Sequence, residues 1–376
     1  MHSREKSFLQ AFPWANVLAV LGCCLAALLL WQTNQVPPTE KVLRVVSTQS
    51  MESVFSVLNA RFQRRERKRS GRRIAVRTST GGNVLQTTEV LAGDERPDVV
   101  AMSLPSSVSQ MQVAGLVAED WETRSPHNAS AWYTTLVFVV RKDNPLRLRD
   151  WPDLVKIGTG LLIPDPATTA LGQTTVLAAW GAVRTSGESV EEAEDFIRRL
   201  YQHTLYRVED IRTLLQLFVV NGEADVLVLR EHDALALLKT RPGEFDVVYP
   251  PTSLLVTSGV TWLDAHTQRH GTTALAKRYV EFLYSREAQE ILALHGFRPT
   301  SEQAFAANHA RFPHMELFPV TRVAPSWNDA ARDFFGSGGL ADILYDAEVR
   351  EVLPPASLES GDGGLQIPER VFADER

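Results

Sequence analysis

At 376 residues, with 44% hydrophobic and 22% charged side chains, the chain has the composition of a soluble globular protein and the length for two lobes. Its net charge of -6 argues against general nucleic-acid binding, so an anion would have to be held by local dipoles or a local cation. The two cysteines, Cys23 and Cys24, are adjacent and build neither a disulfide framework nor a cysteine-based metal site.

Arg4 and Lys6 precede an apolar run over residues 17–31, and a polar, proline-containing stretch, 32–40, follows it. A basic head, an apolar middle and a polar exit form an export signal. The run is longer than many signal peptides and short for a membrane span. No small-x-small cleavage site stands near 32–35. Val20-Leu21-Gly22-Cys23 resembles a lipoprotein signal, but the apolar run continues past the cysteine. Residues 1–41 are therefore expected to be a membrane anchor with its linker, with a cleaved signal peptide as the alternative. Both place the body in the periplasm or on the outer face of the cytoplasmic membrane.

Residues 42–47 form the first strand candidate. Met51, Val54, Phe55, Leu58 and Phe62 then recur at helical spacing and make one apolar face. Residues 61–73 carry eight Arg or Lys. The ordinary reading of that run is the solvated end of the helix and a turn; the sharper one is contact with an anionic membrane surface. Short buried strands are predicted at 74–76, 98–102, 134–140, 161–163, 225–229 and 245–249. Helical patterns lie between them at 84–91, 174–183, 190–202 and 274–294. Strands alternating with helices predict an α/β architecture with largely parallel sheets. From 347 onward, Pro354-Pro355 and the glycine-rich 361–364 predict a loosely ordered tail.

No G-x-S-x-G elbow, H-E-x-x-H helix or Walker loop occurs, and the nine histidines are scattered. No catalytic residue, metal site or cofactor is predicted. What recurs is a strand, a hydroxyl-rich turn and a helix start. Thr78-Ser79-Thr80-Gly81-Gly82-Asn83 is one such turn, and Asp165-Pro166-Ala167-Thr168-Thr169-Ala170 is the other. The first turn of a helix has unpaired N–H groups and partial positive charge, which suits an anion. The same residues also serve as ordinary N-caps.

Several segments, in order, carry a family resemblance. They are Ser130-Ala131-Trp132-Tyr133-Thr134-Thr135 running on through Arg141-Lys142-Asp143-Asn144-Pro145, then Asp150-Trp151-Pro152-Asp153-Leu154, then Leu177-Ala178-Ala179-Trp180-Gly181. Further pieces lie at 196–201 and 222–227, and at Phe282-Leu283-Tyr284-Ser285, Arg298-Pro299, and Trp327 with 335–339. Together they resemble the sulfate/thiosulfate-binding proteins of bacterial ABC importers over residues 42–340.

The resemblance implies a two-lobed periplasmic-binding-protein fold of type II, each lobe a mixed sheet flanked by helices. It divides the chain into a first lobe (42–132 and 251–320), a second lobe (133–250), a C-terminal helical segment (321–346) and a tail (347–376). It implies a monomer that captures a small inorganic oxyanion in its cleft and delivers it to ABC permease subunits. Sulfate is the first expectation, with thiosulfate, molybdate and phosphate as competitors. A sensor or scaffold that kept the fold is the alternative.

Carried over position by position, the resemblance assigns the anion to Asn83, Thr169, Ala170, Leu171 and Ile211, mainly through backbone N–H groups and the Thr169 hydroxyl. Arg230 stands where the family has its ligand-contacting tryptophan, and Ala170 and Leu171 stand where it has glycines. Arg230 is then either a direct guanidinium clamp or a side chain turned aside to Glu231 or Asp233.

Overall fold

The computed structural model describes residues 41–156, 158–206 and 208–341. The expected signal or anchor at 1–40 and the tail from 347 lie outside these residues. No helix among the described residues is long and apolar enough to cross a membrane.

The first lobe opens with β1 (Lys41–Thr48), which turns directly into α1 (Glu52–Ser70). Val54, Phe55, Leu58 and Phe62 are its buried face, as their spacing predicts. Gly71, at φ 69°, supplies the left-handed residue that ends it. Then come β2 (Ile74–Gly81), α2 (Asn83–Ala92), β3 (Val99–Met102) and α3 (Pro105–Val113). The expected turn at 78–81 is instead the end of β2, which runs on to Gly81 because it pairs with all of β1.

The chain next forms β4 (Trp132–Thr134), β5 (Leu136–Arg141) and β6 (Leu161–Leu162). It continues through α4 (Ala170–Thr185), α5 (Val190–Gln202), α6 (Ile211–Leu215), β7 (Val226–Arg230), α7 (Glu231–Thr240) and β8 (Phe245–Val248). Three short strands follow, β9 (Thr252–Leu254), β10 (Val256–Thr257) and β11 (Gly259–Trp262). Helices α8 (Asp264–His270), α9 (Thr273–Leu283) and α10 (Arg286–Leu294) lead to β12 (Arg298–Pro299) and α11 (Glu302–Ala307). Last are β13 (Glu316–Phe318) and α12 (Trp327–Phe335).

Two main sheets organise these elements. The first has the order β11-β3-β1-β2, with β1, β2 and β3 parallel and β11 antiparallel to β3. Alternation along β1 sends Leu43 and Val45 to a core shared with α1, α9 and α10, and Val46 to one shared with α3. Both faces are covered, as a parallel sheet requires. The second sheet has the order β6-β7-β5-β8 and is not largely parallel: only β6 and β7 are, while β5 runs against both its neighbours.

The predicted strand 134–140 is two strands. Thr135 separates β4, which pairs with β10 and β12 in a small sheet between the lobes, from β5 in the second lobe. The helix predicted at 274–294 is also two. α9 ends at Leu283, and the Ser285 hydroxyl accepts from Ala288 N at 3.4 Å to start α10. Leu254 and Phe318, inside the 251–320 stretch expected of the first lobe, are buried in the core of the second. α12 joins that core too, with Phe334 meeting Trp180 edge-on at 5.3 Å.

Candidate functional site

Parallel strands end together, so β1, β2 and β3 deliver their carboxyl ends to one edge of the first sheet. There Ser50, Asn83 and Ser103 begin the segments that lead into α1, α2 and α3. In the second sheet the parallel pair β6 and β7 likewise releases the turn into α4 and, at Arg230, the start of α7. Open α/β sheets bind ligands outside the carboxyl ends of their strands. Here two such edges face one another across a cleft.

Arg230, the last residue of β7, is 6% exposed and reaches across it. Its Nη1 donates to Ser103 Oγ at 3.2 Å. Ser103 is held in turn by Asn83, whose Oδ1 accepts from Ser103 N at 2.9 Å while its Nδ2 donates to Ser107 Oγ. The Ser103 hydroxyl donates to Thr48 Oγ1 at 3.1 Å. Arg230 thus does not turn to Glu231, which is taken by Arg298, and Asp233 meets it through charge without a hydrogen bond.

The Arg230 Nε and Nη2 donors are buried without a partner. A buried cation with unmet donors is costly, and an anion would satisfy both charge and hydrogen bonds. Burial draws the guanidinium's pKa down, with Asp233 opposing, but a guanidinium stays charged at biological pH. Burial pushes the Asp233 carboxyl up to about 6, against the pull of Arg230. His232, beside them, lies well below its ordinary value because it is buried and next to Arg230. Its ring stacks on Phe297 at 4.0 Å, and its Nδ1 is 3.0 Å from Thr134 Oγ1.

Ser50, Ser103, Trp132, Thr134, Arg230 and His232 line a pocket of about 10 Å³. That is room for about one water. A tetrahedral oxyanion enters only as the two edges draw apart.

The second group of predicted residues gathers at the start of α4. Thr169 is the N-cap, so α4 begins four residues before the pattern at 174–183. Its hydroxyl is already used: it donates to Asp165 O at 2.7 Å and accepts from Gly172 N at 3.0 Å. Ala170 and Leu171 follow as the first two helical residues, whose N–H groups have no carbonyl within the helix. Ile211 opens the neighbouring α6, where the Asp210 carboxylate accepts from Arg212 N and Thr213 N. Thr168 Oγ1 donates to Glu209 O at 3.4 Å and joins the two starts.

A second bridge crosses the cleft here. With its amide oriented to suit its neighbours, Gln49 accepts from Arg212 Nε at 2.7 Å and Nη2 at 2.5 Å. Arg212 follows Ile211, and Gln49 follows Thr48. The two groups of predicted residues are therefore linked only by way of chain neighbours: Asn83 and Arg230 share a partner in Ser103, and the α4 residues do not.

Gly172 holds the α4 turn in place. A Cβ there would meet Pro164 O at 2.5 Å and Pro166 N at 2.6 Å, both backbone atoms. Gly172→Ala is expected to destabilise the fold by about 1–3 kcal/mol, read by thermal unfolding, and to weaken anion binding by displacing the turn. Among the described residues no group of three or more His, Cys, Asp or Glu is placed to hold a metal.

The family profile described as bacterial extracellular solute-binding protein matches residues 43–298. The chain belongs to this family.

Among solute-binding proteins, it is 32% identical to the thiosulfate-binding protein of Pseudomonas aeruginosa over 80% of this chain and 91% of that one. It is 31% identical to the sulfate-binding protein of Escherichia coli, again over 80% and 91%. The solved sulfate-binding protein SubI of Mycobacterium tuberculosis superposes with a TM-score of 0.69 at 25% identity, covering 77% of this chain and 98% of that one. The two-lobed solute-binding fold expected from the sequence is thus the fold of this chain.

Sequence reasoning missed Ser103, His232 and Asp233 as parts of the cleft between the two sheet edges. Ser103 carried a usable signal, a hydroxyl at the end of a buried strand just before a helix-starting proline. His232 and Asp233 carried none, since their place depends on how β7 meets the small sheet of β4 and β12.

Proposed function

We propose that this chain captures a doubly charged tetrahedral oxyanion of the sulfate or thiosulfate type, outside the cytoplasmic membrane, for transfer to an ABC permease. The observation that carries this reading is the buried Arg230 guanidinium at the joint carboxyl edges, with two donors that lack a partner. The anion would lie against it, with the free N–H groups of Ala170 and Leu171 and the backbone at Asn83 and Ile211 closing around it. Thr169 would hold the α4 turn in shape, since its hydroxyl is engaged there. The mechanism is lobe opening, anion entry and closure as a monomer, with no covalent step. A position on the outer face of the membrane follows if residues 1–41 are an anchor.

A second reading, an anion-responsive sensor or scaffold, is favoured by one feature. Arg230–Ser103 and Arg212–Gln49 tie the lobes together directly, side chain to side chain.

Calorimetric titration of the full-length chain, unfolded and refolded to strip carried ligand, tests both. Sulfate, thiosulfate, molybdate and phosphate are each titrated. Saturable binding of a dianion supports capture, whereas a lack of heat with all four sinks it and moves the scaffold reading forward.

A further inference from the structure

The basic run at 61–73 belongs to no part of the cleft, and the structure divides it into two stripes. Arg61, Arg65 and Arg69, four residues apart, are exposed but partnered: Arg61 pairs with Glu287, Arg65 lies over Phe282 and Arg69 pairs with Glu66. Arg64, Arg67 and Lys68 lie on the other flank of α1, exposed, and run on into exposed Arg72 and Arg73 in the turn before β2. Among the described residues these five cations have no acidic partner.

Their position in the fold adds a second observation. The end of α1 and the start of β2 lie at the amino edge of the first sheet, opposite the cleft. Because β1 and β2 are parallel with Lys41 against Ile74, the exposed Lys41 enters the fold at that same edge. Arg44 and Arg77 are register partners three residues further in, both exposed, on the sheet face away from α1. A single charge such as Arg77 would suffice to guard the edge strand β2 against pairing. Eight exposed cations at the point where residues 1–40 join the body, on a chain of net charge -6, exceed that need. Of the acidic groups at this edge, Glu66 is buried between Arg69 and Arg278, Asp98 is buried against Thr272 and His270, and Glu287 is taken by Arg61. The others are Asp94, Glu95 and, beside the end of β11, Asp120 and Asp264, both paired with Arg124.

We propose that this amino-edge surface of the first lobe, formed by Arg64, Arg67, Lys68, Arg72 and Arg73 with Lys41, Arg44 and Arg77, docks on an anionic phospholipid bilayer. Clusters of four to eight cations beside a membrane attachment point bind anionic headgroups, and the attraction decays within a Debye length. The chain enters the described fold at Lys41, on this same surface. The cleft lies at the opposite edge of the same sheet, so these cations take no part in it.

Hydrogen exchange of the full-length chain with phosphatidylcholine vesicles, with and without phosphatidylglycerol, tests this. Amides of residues 64–77 are expected to exchange several-fold more slowly on the anionic vesicles at low salt, and the protection is expected to vanish in high salt. It should also vanish in the variant R64Q/R67Q/K68Q, and separately in R72Q/R73Q, with unchanged melting temperature. A control, R184Q/R199Q/K239Q on exposed positions of the second lobe, should keep it. Equal exchange of 64–77 on the two vesicle types overturns the proposal, whether or not residues 1–40 insert. Protection lost equally in the control variant overturns it too.

Discussion

Arg230→Met is expected to abolish oxyanion binding while raising the melting temperature of the anion-free chain. The two effects share one cause. The guanidinium is buried with Nε and Nη2 lacking a protein partner, so in anion-free buffer its removal is expected to relieve an uncompensated charge. Replacing buried ions by apolar groups of similar volume is often stabilising, by about 1–4 kcal/mol. In the complex the same guanidinium would be the anion's counter-charge. Losing one partner of a desolvated charge pair costs about 2–5 kcal/mol, on the order of 30- to several-thousand-fold in affinity. Arg230→Lys keeps the charge without the fork and should fall between. Titration calorimetry and thermal unfolding in anion-free buffer read both quantities. Weaker binding with lower stability would make Arg230 structural, and unchanged affinity would place the anion elsewhere.

Arg298→Met is expected to cost about 3–5 kcal/mol, the largest single loss of stability among the substitutions considered. Arg298 Nε and Nη2 grip the Glu231 carboxylate at 2.6 and 2.9 Å, with side chains 7% and 0% exposed. Burial pushes the Glu231 carboxyl up, while Arg298 and the Tyr249 hydroxyl hold it back. Glu231 also sits in the first turn of α7, where the helix dipole favours a carboxylate, and its N–H donates to Thr135 O at 2.9 Å. Arg298 alone on β12 ties the second lobe's β7–α7 corner to Pro313 O and the Phe312 ring. Its loss leaves a carboxylate buried without a counter-ion. The double variant Glu231→Met with Arg298→Met should regain most of the lost stability, because neither charge then remains. A double variant no more stable than Arg298→Met would refute that account and point to packing.

These two arginines show what the sequence discloses and what it withholds. The α1 face and the helix at 190–202 were legible because a local period decides them. The break at Thr135 was not, because residues 134–140 read as one apolar run and only the partners of β4 and β5 separate it. Much of the family-like sequence near 141–154 proves structural. Arg141 donates to the carbonyls of Phe218, Glu223 and Ala224, and Trp151 Nε1 donates to Thr252 O. In the cleft, Thr169 was recognisable as a turn residue, but its hydroxyl being spent on Asp165 and Gly172 depends on the three-dimensional turn. Arg230 stood out by replacing a tryptophan, and its reach to Ser103 required the fold.

The bridges Arg230–Ser103 and Arg212–Gln49 also set a population balance. A contact between lobes that needs no anion lowers the free energy of the shut form whether or not cargo is present. Hydrogen bonds involving a charged group contribute about 1.5–3 kcal/mol each. Together they favour the shut form, Arg230–Ser103 more than Arg212–Gln49 because Arg212 is exposed. An anion moves that balance only through its differential affinity for the two forms. The stronger these bridges, the less the shape of the protein reports its cargo. A membrane partner would then have to distinguish loaded from unloaded copies by something other than closure.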